Sequence, residues 1–236
     1  IKAWRAELES RTKKLERFEK EELASRWAEL IDALPQSPPK REPHWVRLQA
    51  SSLISEQGTT FVRQQDGSYL ATGKNGVSDA YIFETQTSLA NIKQLRIEAL
   101  ADDSMKRSGP GRASNGNFAL SRIIVTARPP DGTGEPVAVK LINPQVTFEQ
   151  NTANLSIQAS LDNDPKTGWA VDPKFGSNHA ATFQFEEPVG FDQGTDLTIR
   201  LEFQVNDRHN IGRLRVAVSN ATDQLPIDGE IGRAHV

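Results

Sequence analysis

The spacing of the hydrophobic residues changes once along the chain, near residue 44, and this change constrains the fold more than any other feature. Before it, apolar residues recur at steps of three and four, as on one face of a helix. After it, apolar and polar residues alternate, as in a strand with one buried face. The clearest alternation runs from Leu197 to Val205. The chain is therefore predicted to be a helical arm followed by a β-domain.

The arm is predicted to be one helix over residues 1–34, and opposite charges four residues apart, as in Glu7 and Arg11, support it. Pro35 and Pro38 then end it. Two interpretations of the arm remain open. It packs on a neighbouring helix, which we favour, or it forms a dimeric coiled coil. Its apolar positions, with a slip of one residue after the fifth, are Ile1, Trp4, Leu8, Leu15, Phe18, Leu23, Trp27, Leu30 and Leu34.

The remainder is predicted to be mainly β, an antiparallel β-sandwich or jelly roll, because a parallel sheet would need crossover helices that the sequence lacks. We expect a linker over 35–44, the sandwich over 45–221 and a tail over 222–236. Residues 230–236 read like a translated sequencing adapter, so we expect them to be artefactual. The predicted strands are Trp45–Ala50, Thr59–Gln64, Tyr69–Thr72, Ala80–Thr85, Lys93–Ala101, Phe118–Ala127, Pro136–Ile142, Val146–Gln150, Ser156–Leu161, His179–Phe185, Leu197–Val205 and Leu214–Ser219.

The composition excludes several classes of function. Without cysteine, the chain has no thiolate nucleophile and no Cys-rich zinc site. A net charge of −3 gives no basic field for nucleic acid. No apolar run approaches the roughly 20 residues of a membrane span.

The segment 109–118, GPGRASNGNF, combines three glycines and a proline with planar polar side chains. Arg112 offers a forked donor to paired sugar hydroxyls, and Asn115 and Asn117 offer donors and acceptors. Tyr69 is a further candidate contact at the same rim. The alternative is that Arg112 and Asn117 fasten this long connection to the sandwich through backbone carbonyls.

The segment 160–173 carries the second group of candidates. Asp162, Asp164 and Thr167 bring oxygen ligands together on a tight turn, as calcium requires, or else form an Asx-type turn without metal. Trp169 follows, and either packs in the core or stacks on a sugar. His179 is a candidate polar contact, although a lone histidine is more often structural.

Three stretches, Asp66–Gly73, Leu95–Ser121 and Asp162–Phe183, together with Ile211–Ser219, resemble a region of large planctomycete-type proteins. Those proteins carry a cytochrome c-like haem domain and planctomycete-specific domains of unknown function. The resemblance implies a fragment of a multidomain protein that is periplasmic or at the cell surface. The haem motif Cys-x-x-Cys-His is absent, so no haem is expected in this chain.

DNDPKTGW, residues 162–169, is also similar to a turn of discoidin-type, galactose-binding-like carbohydrate modules. In that fold the turn helps to hold a structural calcium, and Asp162, Asp164 and Thr167 match its positions. Asn163 stands where glycine is usual.

These features lead to two hypotheses for function. The first is a non-catalytic carbohydrate-binding module that presents its rim residues to a polysaccharide. The second is a structural spacer that orients the haem and planctomycete-specific domains of its parent and docks through the arm. An enzyme is not expected, because no nucleophile–base or acid–base constellation is recognisable. Exposure of an aromatic beside planar polar groups would favour the first hypothesis. Burial of Trp169, with Arg112 tied to backbone, would favour the second.

Overall fold

The computed structural model describes residues 2–23, residue 26 and residues 44–227, and the chain divides into two compact units, 1–42 and 43–236. In the first unit, helix α1 spans Lys2–Arg17 and continues as a π-helical turn over Phe18–Leu23. The helix prediction is confirmed over these residues. Apart from residue 26, its predicted remainder and the linker up to residue 43 lie outside the described residues.

The π-helical turn lies where the apolar spacing slips by one residue. A π-helical turn holds more residues than an α-helical turn, so Leu23 stays close to the line of the preceding apolar residues. Each member of this line is between 40% and 69% exposed. We call this set the apolar stripe; its members are Trp4, Leu8, Leu15, Phe18 and Leu23.

The second unit is built from short antiparallel strands. In chain order they are β1 Val46–Arg47, β2 Ser52–Ser55, β3 Thr59–Arg63, β4 Tyr69–Gly73, β5 Asp79–Thr87, β6 Ile92–Ala99, β7 Ala119–Leu120, β8 Arg122–Arg128, β9 Val137–Val139, β10 Leu141–Val146, β11 Trp169–Ala170, β12 His179–Val189, β13 Thr195–Phe203 and β14 Arg213–Ser219.

Two main sheets and one small ribbon contain these strands. The larger sheet has the order β10-β12-β6-β14-β4-β3, with β1 also paired to β14, and the smaller has the order β2-β5-β13-β8-β9. The ribbon pairs β7 with β11. All pairs are antiparallel, so the predicted mainly β, antiparallel fold preceded by a helix is confirmed.

Alternate residues of both sheets form one hydrophobic core. Phe83 and Phe203 from the smaller sheet, and Leu95 and Phe183 from the larger, are 0% exposed. Burial of large side chains of this kind is the main favourable contribution to folding. The predicted alternation in β13 is confirmed, although the strand is Thr195–Phe203 rather than 197–205.

The prediction of a strand over Ser156–Leu161 is wrong, because Gln158–Leu161 forms a 3₁₀ turn. Ser156 Oγ accepts the N–H of Ala159 at 3.2 Å, and Ser160 Oγ donates to the carbonyl of Ile157 at 2.7 Å. Serine hydroxyls compete with strand pairing through such local bonds. The strand predicted over Val146–Gln150 is also wrong beyond its first residue, since β10 ends at Val146. Strand β2 was not predicted.

The outer face of the larger sheet is buried and charged. Gln94, Arg96 and Glu98 alternate in β6 with core residues, yet they are only 0–3% exposed. Residues 221–227 lie against this face, and Gln94 Nε2 donates to the carbonyl of Ala221 at 2.9 Å. Three arginines and three carboxylates form an ion-pair network here and beside it: Arg96, Glu98, Arg215, Asp66, Arg213 and Asp102.

Candidate functional site

The loop 109–118 approaches its neighbouring backbone so closely that glycine is required at two positions. A Cβ atom at Gly111 would lie 1.9 Å from the carbonyl oxygen of Asn117. At Gly116, where φ is +87°, it would lie 2.4 Å from the carbonyl oxygen of Lys106. The glycines therefore determine the backbone path of the loop, and this path determines the position of Arg112.

Arg112 is fastened to the body of the domain. Its NH1 donates to the carbonyl of Lys74 at 2.8 Å and to Thr59 Oγ1 at 2.9 Å, and its NH2 donates to the carbonyl of Gly73 at 2.7 Å. Three of the five guanidinium N–H groups therefore bind the end of β4 and the start of β3. Arg112 also interacts with the buried hydroxyl of Tyr81.

The two asparagines of the loop also make internal bonds. Asn115 Oδ1 accepts the backbone N–H of Asn117 at 3.0 Å, which closes an Asx turn. Asn117 is 4% exposed, and its Oδ1 accepts the N–H of Val171 at 3.0 Å. Asn117 thus joins this loop to the segment after β11 rather than to solvent.

The two candidate aromatic residues lie in the core. Trp169 is 0% exposed, packs edge-on against Phe118 with ring centroids 4.8 Å apart, and donates its indole N–H to the carbonyl of Phe148 at 2.9 Å. Tyr69 is 6% exposed, and its hydroxyl accepts the N–H of Ala50 at 2.7 Å. Neither ring presents a face to solvent.

His179 lies at the start of β12 and is 3% exposed. Its Nε2 is 2.7 Å from the carbonyl oxygen of Lys174, a geometry in which the ring donates. Burial lowers the pKa of His179, and the bond to Lys174 offsets this only in part. Burial therefore favours the neutral form of the imidazole.

The turn 162–167 closes on itself through side-chain bonds. Thr167 Oγ1 lies 2.9 Å and 2.8 Å from the two carboxylate oxygens of Asp162 and donates to this carboxylate. Asp162 Oδ1 also accepts the N–H of Asp164 at 2.8 Å. The turn offers two carboxylates and one hydroxyl, whereas calcium takes about six to eight oxygen ligands. The side chains alone do not make a complete calcium site, and calcium binding stays a prediction.

A cavity of about 610 Å³ opens at the loop end of the sandwich beside Arg112. We call it the loop-end cavity; it is lined by Asn75, Lys106, Arg112, Ala113, Ser114, Asp207 and Arg208. Asn75 holds two of its walls together, because its Nδ2 donates to the carbonyl of Arg112 at 3.0 Å and to that of Arg208 at 3.3 Å.

Of the predicted site residues, the loop-end cavity includes only Arg112. Lys106, Asp207 and Arg208 were missed because they lie in two connections far apart in the sequence. One local feature marks both connections. The backbone of Arg107 and Arg208 has φ of 56° and 62°, a region that non-glycine residues rarely adopt and that sequence does not reveal.

A scan against models of known protein families finds no match for this chain, and a search of the curated proteins finds none either. Among the residues that the structure describes, no helix is long and apolar enough to cross a membrane. Over the same residues, no group of three His, Asp or Glu side chains could hold a metal ion. The likeness to planctomycete-type proteins and to galactose-binding-like modules therefore stays a prediction from motifs.

Proposed function

We propose that this domain is a non-catalytic structural spacer that orients other domains of a larger protein. One observation carries the proposal: the side chains expected to bind a glycan bind the domain itself. Arg112 donates to the carbonyls of Gly73 and Lys74, and Trp169 is 0% exposed. These are the contacts expected of a spacer.

The distribution of aromatic residues supports the same proposal. Every Phe, Tyr and Trp ring between residues 44 and 227 is buried or half-buried. A sugar-stacking platform requires a ring face in solvent, since the ring must cover the apolar face of the sugar. In this part of the chain no Phe, Tyr or Trp is classed as exposed, and five of them are half-buried.

The arm supplies the docking element in this proposal. The apolar stripe places Trp4, at 69% exposed, and Leu15, at 59%, on one side of α1. An exposed line of large apolar side chains is typical of a helix that binds a partner. We propose that the partner is a helix of a neighbouring domain in the same parent chain. The resemblance adds, as expectations only, haem and planctomycete-specific neighbours and a periplasmic or cell-surface location.

The spacer proposal is tested by affinity electrophoresis of the full chain through gels that contain different polysaccharides, with calcium and with chelator. We expect no retardation of the wild-type chain in any gel of an uncharged polysaccharide, and a lowered melting temperature for Arg112→Ala. Retardation by one uncharged polysaccharide class that Arg112→Ala abolishes would overturn the spacer and establish a glycan module.

The docking step is tested by sedimentation equilibrium of the full chain at micromolar concentration. If the arm binds a different domain, the chain stays monomeric. A dimer that Leu8→Gln with Leu15→Gln disperses would mean that the stripe binds a second copy, the coiled-coil interpretation. Both substitutions lie on the stripe and keep good helix formers, so α1 is preserved. The matched control changes two residues of α1 outside the stripe, Lys13→Gln with Lys14→Gln.

A second candidate function is glycan binding at the loop-end cavity. Its support is a cavity of about 610 Å³ with Arg112 in its wall, at the end of the sandwich where loops converge. Clefts of this volume are within the range of small-ligand sites. In this candidate, recognition relies on hydrogen bonds and charge rather than on stacking.

A further inference from the structure

We propose that the loop-end cavity binds a negatively charged group carried by a sugar, either a carboxylate or a sulfate ester. The inference rests on the second candidate function and adds the chemical class of the ligand. It follows from the charges that line the cavity, from the rigidity of its walls and from the polar groups beside the charges.

Positive charge dominates the cavity. Lys106, Arg112 and Arg208 line it, against the single carboxylate of Asp207. Within the described residues, the side chains of Lys106 and Arg208 take part in no hydrogen bond or ion pair, and Asp207 forms no ion pair with either. Cations that share a cleft without neutralisation attract an anion into it.

Some arginines elsewhere in the domain are paired with carboxylates. Arg200 donates to Glu56 at 2.6 Å, and Arg213 lies 2.8 Å from Asp66 and 3.3 Å from Asp102. In the described part of the chain, Lys106 and Arg208 form no such ion pair, and Arg63 and Lys166 form none either. What distinguishes Lys106 and Arg208 is that they line one cavity together with Arg112.

The walls of the cavity are held in place before any ligand arrives. Arg112 is fixed by three hydrogen bonds, and Asn75 ties the Arg112 and Arg208 backbones to each other. Asn75 Oδ1 in turn accepts from Asn210 Nδ2 at 2.6 Å. A site whose groups are already ordered loses little entropy on binding, which favours affinity.

The other lining groups favour a sugar over an acidic peptide. Ala113 is the single apolar residue of the lining and is only 1% exposed, so the cavity offers no apolar anchor. The lining residues lie in loops and not along a strand edge, so a peptide could not add as a strand. The hydroxyl of Ser114 and the carboxylate of Asp207 suit sugar hydroxyls as donor and acceptor.

The test uses the full chain and two oligogalacturonides of equal length, one de-esterified and one fully methyl-esterified, with a sulfated oligosaccharide as a third probe. The first two differ only at the carboxyl group, which is charged in one and carries a methyl ester in the other. By isothermal titration at low salt, we expect binding of the charged oligomer and no binding of the esterified one. Lys106→Gln and Arg208→Gln should each weaken binding about tenfold, as for the loss of one charged hydrogen bond. Binding of the sulfated oligomer in place of the uronate identifies sulfate as the anion.

The matched control is Lys166→Gln, which removes the same charge from an exposed side chain on the 162–167 turn. It should leave the affinity unchanged. If Lys166→Gln loses as much affinity as Lys106→Gln and Arg208→Gln, the oligomer is attracted by the overall charge of the surface, and the proposed site is overturned. Equal binding of both oligogalacturonides would overturn the anion inference while leaving glycan binding intact. Binding of inorganic sulfate without any oligomer would overturn the sugar-borne ligand. If no probe binds, the anion inference falls, and the second candidate function falls with it only if the uncharged-polysaccharide gels also show no retardation.

Discussion

The Arg112 guanidinium and the Gly73 carbonyl are joined by a hydrogen bond of 2.7 Å across a sequence separation of 39 residues. With the bonds to Lys74 and Thr59, it anchors the loop 109–118 to the end of β4. Arg112, which the sequence analysis predicts as a ligand contact, therefore also holds its loop against the sandwich.

Arg112→Ala is predicted to lower the free energy of unfolding by about 2 kcal/mol, because three bonds from a charged donor are lost at a partly exposed position. Urea unfolding followed by circular dichroism measures this change. Arg112→Lys should still lose more than half as much free energy of unfolding as Arg112→Ala, since one ammonium cannot reproduce the planar, forked donor geometry of a guanidinium. Arg63→Ala, an exposed residue of β3, is the control. An equal loss in both alanine variants would contradict the anchoring role.

Glu98→Gln is predicted to cost about 3–5 kcal/mol, because it removes the carboxylate that lies between two buried arginines. Glu98 is 3% exposed, and it is paired with both Arg96 and Arg215. The measurement is the urea midpoint at pH 7. Glu186→Gln, which breaks only the exposed pair with Lys140, should cost less than about 1 kcal/mol. A loss at Glu98 as small as that at Glu186 would mean that water reaches the buried network.

The sequence predicts the parts of this molecule that follow from local periodicity. The alternation at Leu197–Val205 predicted β13, and the apolar spacing predicted α1, whereas the π-helical turn at Phe18–Leu23 was not predicted. In each case, neighbours along the chain carry the information. The galactose-binding-like assignment goes further than periodicity and stays a prediction.

Features that depend on distant segments could not be predicted in this way. The alternation places Glu98 on the solvent side of β6, yet residues 221–227 fold back over that face. Lys106 and Arg208 meet in one cavity although about 100 residues separate them, a proximity created by the topology alone. Arg112 and Trp169 had two interpretations each, and only the three-dimensional contacts distinguish a bond to backbone from an exposed donor.

Asp162→Ala is predicted to destabilise the domain by about 1 kcal/mol in the presence of chelator, because the bonds from Thr167 and Asp164 are lost from an exposed turn. Thermal unfolding measures this as a fall of about 2–4 °C. The control is Asp192→Ala, another exposed aspartate. If Asp162→Ala is neutral in chelator but destabilising in calcium, an ion and not the internal bonds holds the turn.

Acidification from pH 7 to about pH 5 is predicted to destabilise the domain through His179. Burial lowers the pKa of His179 in the folded state below its unfolded value of about 6.5, so the unfolded chain binds more protons in this window. Stability therefore rises with pH through the window and is lost as the pH falls below about 6.5. His179→Gln keeps a donor for the Lys174 carbonyl but does not titrate, so its urea midpoint should change less between these two pH values. His209→Gln, on the loop before β14, is the control. If the wild type and His179→Gln lose the same stability on acidification, His179 is not the group that titrates.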